Sequence, residues 1–105
     1  MAQFDVHRNQ GQQRAVIPYV VVVQSSRFER SHRRVVVPLM LESAVGALDP
    51  TLLPSFTVER RKVVMNPMQI ASVPTEGLGK RVGTLKKDAN RVIAALDLLL
   101  SRAWD

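Results

Sequence analysis

The octet RFERSHRR, from Arg27 to Arg34, holds four arginines, one histidine and one glutamate, the densest group of charged side chains in the sequence. Guanidinium forks at this spacing can grip a phosphate or a carboxylate in two-point fashion. The plainer reading is a solvated basic loop between two strands, since only Phe28 supplies the aromatic interleaving that nucleic-acid surfaces use. His7 and His32 each stand beside an arginine and far from one another, so two isolated histidines predict no metal site. The sequence contains no cysteine, no HExxH, no GxSxG and no phosphate-binding loop, and its carboxylates show no paired spacing. No catalytic residue and no cofactor are therefore expected, and the protein reads as one that acts by binding rather than as an enzyme. The single tryptophan, Trp104, is one residue from the end. A side chain so large at a position so hard to bury either folds back on a core or waits for a partner.

A chain of 105 residues supports one hydrophobic core, so residues 1–105 are expected to form one domain. Fifteen Lys and Arg against nine Asp and Glu give a net charge of +6. That field attracts polyanions or acidic protein segments without choosing between them. Cysteine-free composition points to the cytoplasm and removes disulfides as a source of stability. The N-terminal MAQFDVHRNQGQQR lacks an apolar targeting core, and the apolar stretch AVIPYVVVV is too short to span a bilayer, so a soluble chain is expected.

The elements that must position these residues follow from periodicity. Ala15–Ser25 and Arg33–Met40 are rich in β-branched residues and flanked by polar turn-formers, which predicts strands. Pro18 and Pro38 cannot donate to a ladder and belong at a strand end, a bulge or an edge. Phe56–Val58 and Lys62–Met65 flank the charged Glu59, Arg60 and Arg61, predicting a hairpin with its tip there. QFDV and QIASV add two short strands. The period then changes: Leu85, Ala89, Val92, Ile93, Ala95, Leu96, Leu99 and Leu100 fall within an arc of roughly 160° on a helical wheel. Thr84 is the predicted N-cap, Leu98 the exposed exception, and Trp104 lies at the edge of the stripe. Strands followed by one terminal helix predict a mostly β, α+β fold with the helix closing a curled sheet.

Several segments line up in order with one family. QFDV at Gln3–Val6, VQS at Val23–Ser25, RRVVVPL at Arg33–Leu39, LLP at Leu52–Pro54, IASVP at Ile70–Pro74 and NRVIAALDLL at Asn90–Leu99 resemble the CcdB toxins of toxin–antitoxin pairs. The resemblance implies an SH3-like antiparallel β-barrel with a C-terminal α-helix, a homodimer without enzymatic activity, and poisoning of DNA gyrase by holding its A subunit in the cleaved-DNA complex. It also implies a cognate acidic antitoxin with a disordered C-terminal segment, and neither sequence-specific DNA binding nor a membrane partner. By position, the gyrase-binding residues would be Asp97, Leu100, Ser101, Arg102, Ala103 and Trp104 at the helix end, with Arg27 and Phe28 where the family has two isoleucines. Ser101, Arg102 and Ala103 stand at the family's Trp-Gly-Ile, and Trp104 follows about 4.5 Å further along a helix. Arg30, Arg33 and Arg34 are the candidate antitoxin contacts, on charge. Two alternatives stay open: a CcdB-like protein that keeps antitoxin binding without gyrase poisoning, and an mRNA-cleaving toxin on the same barrel.

Overall fold

Four consecutive β-branched or aromatic residues, Tyr19–Val22, form a strand that is buried at every position. Such a run without polar alternation is what a strand covered on both faces requires. It is the centre of an antiparallel sheet in a computed structural model that describes residues 2–46 and 49–101. The strands are β1 (Asp5–Asn9), β2 (Tyr19–Val22), β3 (Arg33–Leu41), β4 (Ser55–Val58), β5 (Arg61–Met65), β6 (Ala71–Pro74) and β7 (Leu78–Thr84), followed by helix α1 (Ala89–Leu100). Their order across the sheet is β4-β5-β3-β2-β1-β7, with β6 paired to β3 off that path.

Strand β3 makes the sheet curl. Its first half, Arg33–Val36, pairs with β6, and its second half, Leu39–Leu41, pairs with β5 on the same side. Pro38 stands where the partner changes. Its carbonyl accepts from Asn66 N at 3.1 Å, so the donor it lacks would have pointed into the gap between two partner strands, where no ladder bond is lost. Pro18 precedes β2, and its carbonyl accepts from Asn9 N at 2.9 Å.

The inside of the curl is the main core, built from Val6, Tyr19, Val21, Val37, Leu39, Phe56, Val63 and Met65 and closed by Leu85, Val92 and Ala95. A smaller cluster, Val20, Val22 and Val36, fills the opposite face under Val73 and Leu78. The fold is thus the expected α+β, SH3-like barrel with a terminal helix. No helix among the described residues is long and apolar enough to cross a membrane.

Four local expectations are corrected. The β-rich stretch Ala15–Ser25 is strand only over Tyr19–Val22, because Ala15 and Val16 sit in a hydrogen-bonded turn in which Ile17 N donates to Gln13 O at 2.8 Å. Strand β1 begins at Asp5 rather than Gln3, since Phe4 lies at φ 72° and ends any extended run. Strand β7 is an addition. Thr84 does not cap the α-helix: it accepts from Lys86 N at 3.2 Å and starts a 3-10 turn, Lys86–Asp88, ahead of α1. The helix is also rotated from the expected stripe, burying Val92 and Ala95 with Leu98 half-buried, while Ile93, Leu99 and Leu100 face outward.

Candidate functional site

Strands β4 and β5 pair Val58 with Arg61, which leaves Glu59 and Arg60 as a two-residue hairpin loop. Loops of that length need left-handed backbone at both positions to match strand twist, and Glu59 (φ 50°) and Arg60 (φ 65°) supply it without glycine. Residues with side chains resist this conformation, so the turn holds local strain that other contacts must offset. The offsetting contacts are on Glu59. Its Oε2 accepts from Arg8 Nη2 at 2.9 Å and its Oε1 accepts from the Tyr19 hydroxyl at 2.8 Å. Arg8 and Tyr19 are themselves cross-strand partners of β1 and β2. One carboxylate therefore ties a hairpin tip to two other strands.

The electrostatics follow from those bonds. The hydrogen bond from Arg8 first, and that from Tyr19 second, hold the Glu59 carboxyl below the ordinary glutamate range. Burial pushes the Tyr19 hydroxyl up, and its bond to Glu59 adds to the shift while Arg61 opposes it. The Arg61 guanidinium lies 5.8 Å from the centre of the Tyr19 ring. Around this clasp opens a concavity of about 450 Å³ lined by Arg8, Asn9, Arg14, Pro18, Tyr19, Glu59 and Arg61. Charge spacing gave no signal for it, because its members come from β1, the following loop, β2 and the hairpin tip. The one legible cue was a charged hairpin tip without glycine or asparagine, which the structure narrows from Glu59–Arg61 to Glu59 and Arg60.

The expected site residues fall in other places. Asp97, Leu100 and Ser101 share the last turn of α1, where Leu100 is 67% exposed. Ser101 donates its hydroxyl to Asp97 Oδ1 at 2.7 Å, and its backbone N–H goes to Asp97 O at 2.9 Å, so the two residues close the helix end together. Arg102, Ala103 and Trp104 lie outside the described residues. Arg27 and Phe28 form a 3-10 turn with Ser26, capped by Ser25 Oγ, and Phe28 is exposed.

The three arginines grouped as antitoxin contacts separate on inspection. Arg30 is exposed. Arg33 clamps β3 to β6, donating from Nε to Ser72 Oγ at 2.8 Å and from Nη2 to Ser72 O at 2.7 Å. Arg34 is buried, and its guanidinium donates to the carbonyls of Ser31, Arg33 and Glu29. It knots its own loop, and unlike Arg30 it offers no exposed guanidinium. His7 is likewise interior, with Nδ1 at 2.9 Å from Gly79 O, while His32 is exposed; among the described residues no three potential ligands gather around a point that could hold a metal ion.

The architecture is thus a curled antiparallel sheet whose strand β3 splits between two partners, shut by a terminal helix. Two solved structures share it over the whole chain. One is an endoribonuclease in complex with its cognate antitoxin from a mycobacterial species, 18% identical, TM-score 0.78, covering 100% of this chain and 99% of that one. The other is an endoribonuclease from a mycobacterial species, 17% identical, TM-score 0.72, covering 100% and 95%. At those identities the likeness is one of fold. No curated protein matches the sequence. The sequence pattern of the CcdB protein family matches residues 3–101, and the chain belongs to the CcdB family of toxins.

Proposed function

We propose that this toxin acts by binding, not as an enzyme: it docks on the A subunit of DNA gyrase, holds the cleaved-DNA complex, and is neutralised by an acidic antitoxin. The observation that carries the reading is the outer side of α1, where Ile93 and Leu100, seven positions apart and so on one side of the helix, are exposed. Exposed apolar surface on a small charged protein suits an interaction surface, and Leu100 is one of the positions that the resemblance assigns to gyrase. The homodimer and the cytoplasmic location belong to the same proposal. A gyrase-dependent DNA-cleavage assay tests it: the protein should stabilise double-strand breaks, and Leu100→Asp in a folded chain should abolish the effect.

A second reading, an mRNA-cleaving toxin, is favoured by the rim concavity, where a carboxylate sits among three guanidiniums. The two similar structures, both endoribonucleases, lean the same way. An RNA-cleavage assay run beside the gyrase assay separates the two. Activity in neither, with antitoxin binding intact, would identify a barrel that has kept its antitoxin and lost its poison.

A further inference from the structure

We propose that the concavity beside the Glu59 clasp is a binding site for the phosphate group of a nucleotide, with Arg14 and Arg61 as its anion-holding residues. Three guanidiniums and one carboxylate line the space. Arg8 is matched by Glu59 at 2.9 Å, which leaves Arg14 and Arg61 without a carboxylate partner among the described residues. Lys80 lies close enough to act on the Glu59 charge.

The positions of the two arginines are built rather than incidental. Arg14 sits in a loop in which its N–H donates to Gly11 O at 3.3 Å, Gly11 N to Asn9 Oδ1 at 2.9 Å, and Asn9 Nδ2 to Ile17 O at 2.8 Å; its Nη1 also donates to Gly11 O at 3.2 Å, which fixes the guanidinium and leaves its other N–H groups for an anion. Arg61 is steadied over the Tyr19 ring. Two forks facing one space suit a group with three oxygens and nearly two charges better than a carboxylate, which a single fork satisfies. The volume, about 450 Å³, exceeds what a bare phosphate fills and falls in the range of small-ligand pockets. A space of this size leaves room for a phosphate carried on a larger group such as a nucleoside.

The site should be indifferent to the base. The Asn9 side chain is spent within its loop, and the Tyr19 face carries Arg61, so neither an amide nor an open ring is left to read or stack a base. This inference is independent of the gyrase reading. It concerns another part of the barrel, and none of its readouts involves gyrase or antitoxin.

The test is an NMR titration of the full chain that follows the arginine Nε–H signals with adenosine 5′-monophosphate, uridine 5′-monophosphate and octadeoxythymidylate. The expected result is saturable movement of Arg14 and Arg61 signals, with the two monophosphates within about twofold of each other because no base contact exists. Binding of the monophosphates alone, or of the oligonucleotide as well, supports the site and tells a free nucleotide from a strand. Arg14→Ala, in an exposed loop, should weaken binding by about tenfold. Glu59→Gln should strengthen it, because Arg8 is then released to the anion, and a gain of binding is not an outcome of misfolding. The proposal is overturned if neither arginine responds at about 10 mM nucleotide, far above the millimolar range of weak sites. It is equally overturned if the response is confined to Arg27, Arg30 and Arg33, or if a glutamate-rich decapeptide moves Arg14 and Arg61 at lower concentration than the nucleotides.

Discussion

Tyr19 donates its hydroxyl to Glu59 Oε1 at 2.8 Å across 40 residues of sequence, and this bond fastens a strained hairpin tip to the central strand of the sheet. The relationship makes a buried phenol part of the barrel's closure. Tyr19→Phe removes the bond while keeping the ring in the core, and should cost about 1 kcal/mol, the usual net value of one hydrogen bond. Urea denaturation checks this: a lower midpoint at unchanged slope is expected, whereas an unchanged midpoint would mean that the hydroxyl contributes nothing.

The same clasp sets a pH dependence. Arg8 first, then Tyr19, hold the Glu59 carboxyl below its ordinary value of 4.5. A carboxyl lowered on folding contributes stability that is fully present above its unfolded value and lost as pH falls through the folded one. The contribution should be intact at neutral pH and disappear below about 4.5. Thermal melts of wild type and Glu59→Gln as a function of pH test this, and their difference should shrink only in that acid range.

Arg34 and Arg30, four positions apart in the basic loop, should behave oppositely. Arg34→Ala leaves the carbonyls of Ser31, Arg33 and Glu29 without their charged donor and should cost about 2 kcal/mol or more. Arg30→Ala should change stability by under about 0.5 kcal/mol, as for other exposed positions. It should instead flatten the salt dependence of association with an acidic antitoxin segment. Stopped-flow mixing at two ionic strengths reads that effect, and equal salt slopes for wild type and variant would make the loop solvated surface only.

Val16, Phe28, Met68 and Ile70 are large apolar side chains left exposed on the barrel, in addition to those on the helix. Surface of this kind is expected to be covered by a second copy of the chain. Light scattering at micromolar concentration should give twice the 11.7 kDa mass of one chain. A monomer throughout that range would contradict the dimer.

Strands whose own residues dictate burial were legible in the sequence. The valine run of β2, the apolar core of β3 and the hairpin around Glu59 all announced themselves through β-branched content and turn position. Strand β7 did not, because its run LGKRVGT mixes two glycines with two cations and is held by β1 from the other end of the chain. Gly79 shows why the pattern was broken: a Cβ there would come within 2.6 Å of Arg8 O, so close strand approach excluded a strand-forming residue. The helix wheel found the right element and misjudged its rotation. An arc of apolar residues does not separate the part that meets the core from the part left in solvent, so the wheel puts Ile93 and Leu100 in the same stripe as Val92 although both are exposed. The clasp was invisible because Arg8, Tyr19 and Glu59 meet only after the sheet has curled.

The most direct measurement is equilibrium binding of the gyrase A subunit to the wild-type chain and to Leu100→Ala by surface plasmon resonance, with both proteins first shown to melt alike. Leu100 is 67% exposed, so its truncation should leave stability within about 0.5 kcal/mol. The account predicts saturable binding by the wild type and, in the variant, a loss on the order of thirtyfold, corresponding to about 2 kcal/mol for an interface anchor. No binding by the folded wild-type protein, or equal affinity of the two proteins, would contradict it.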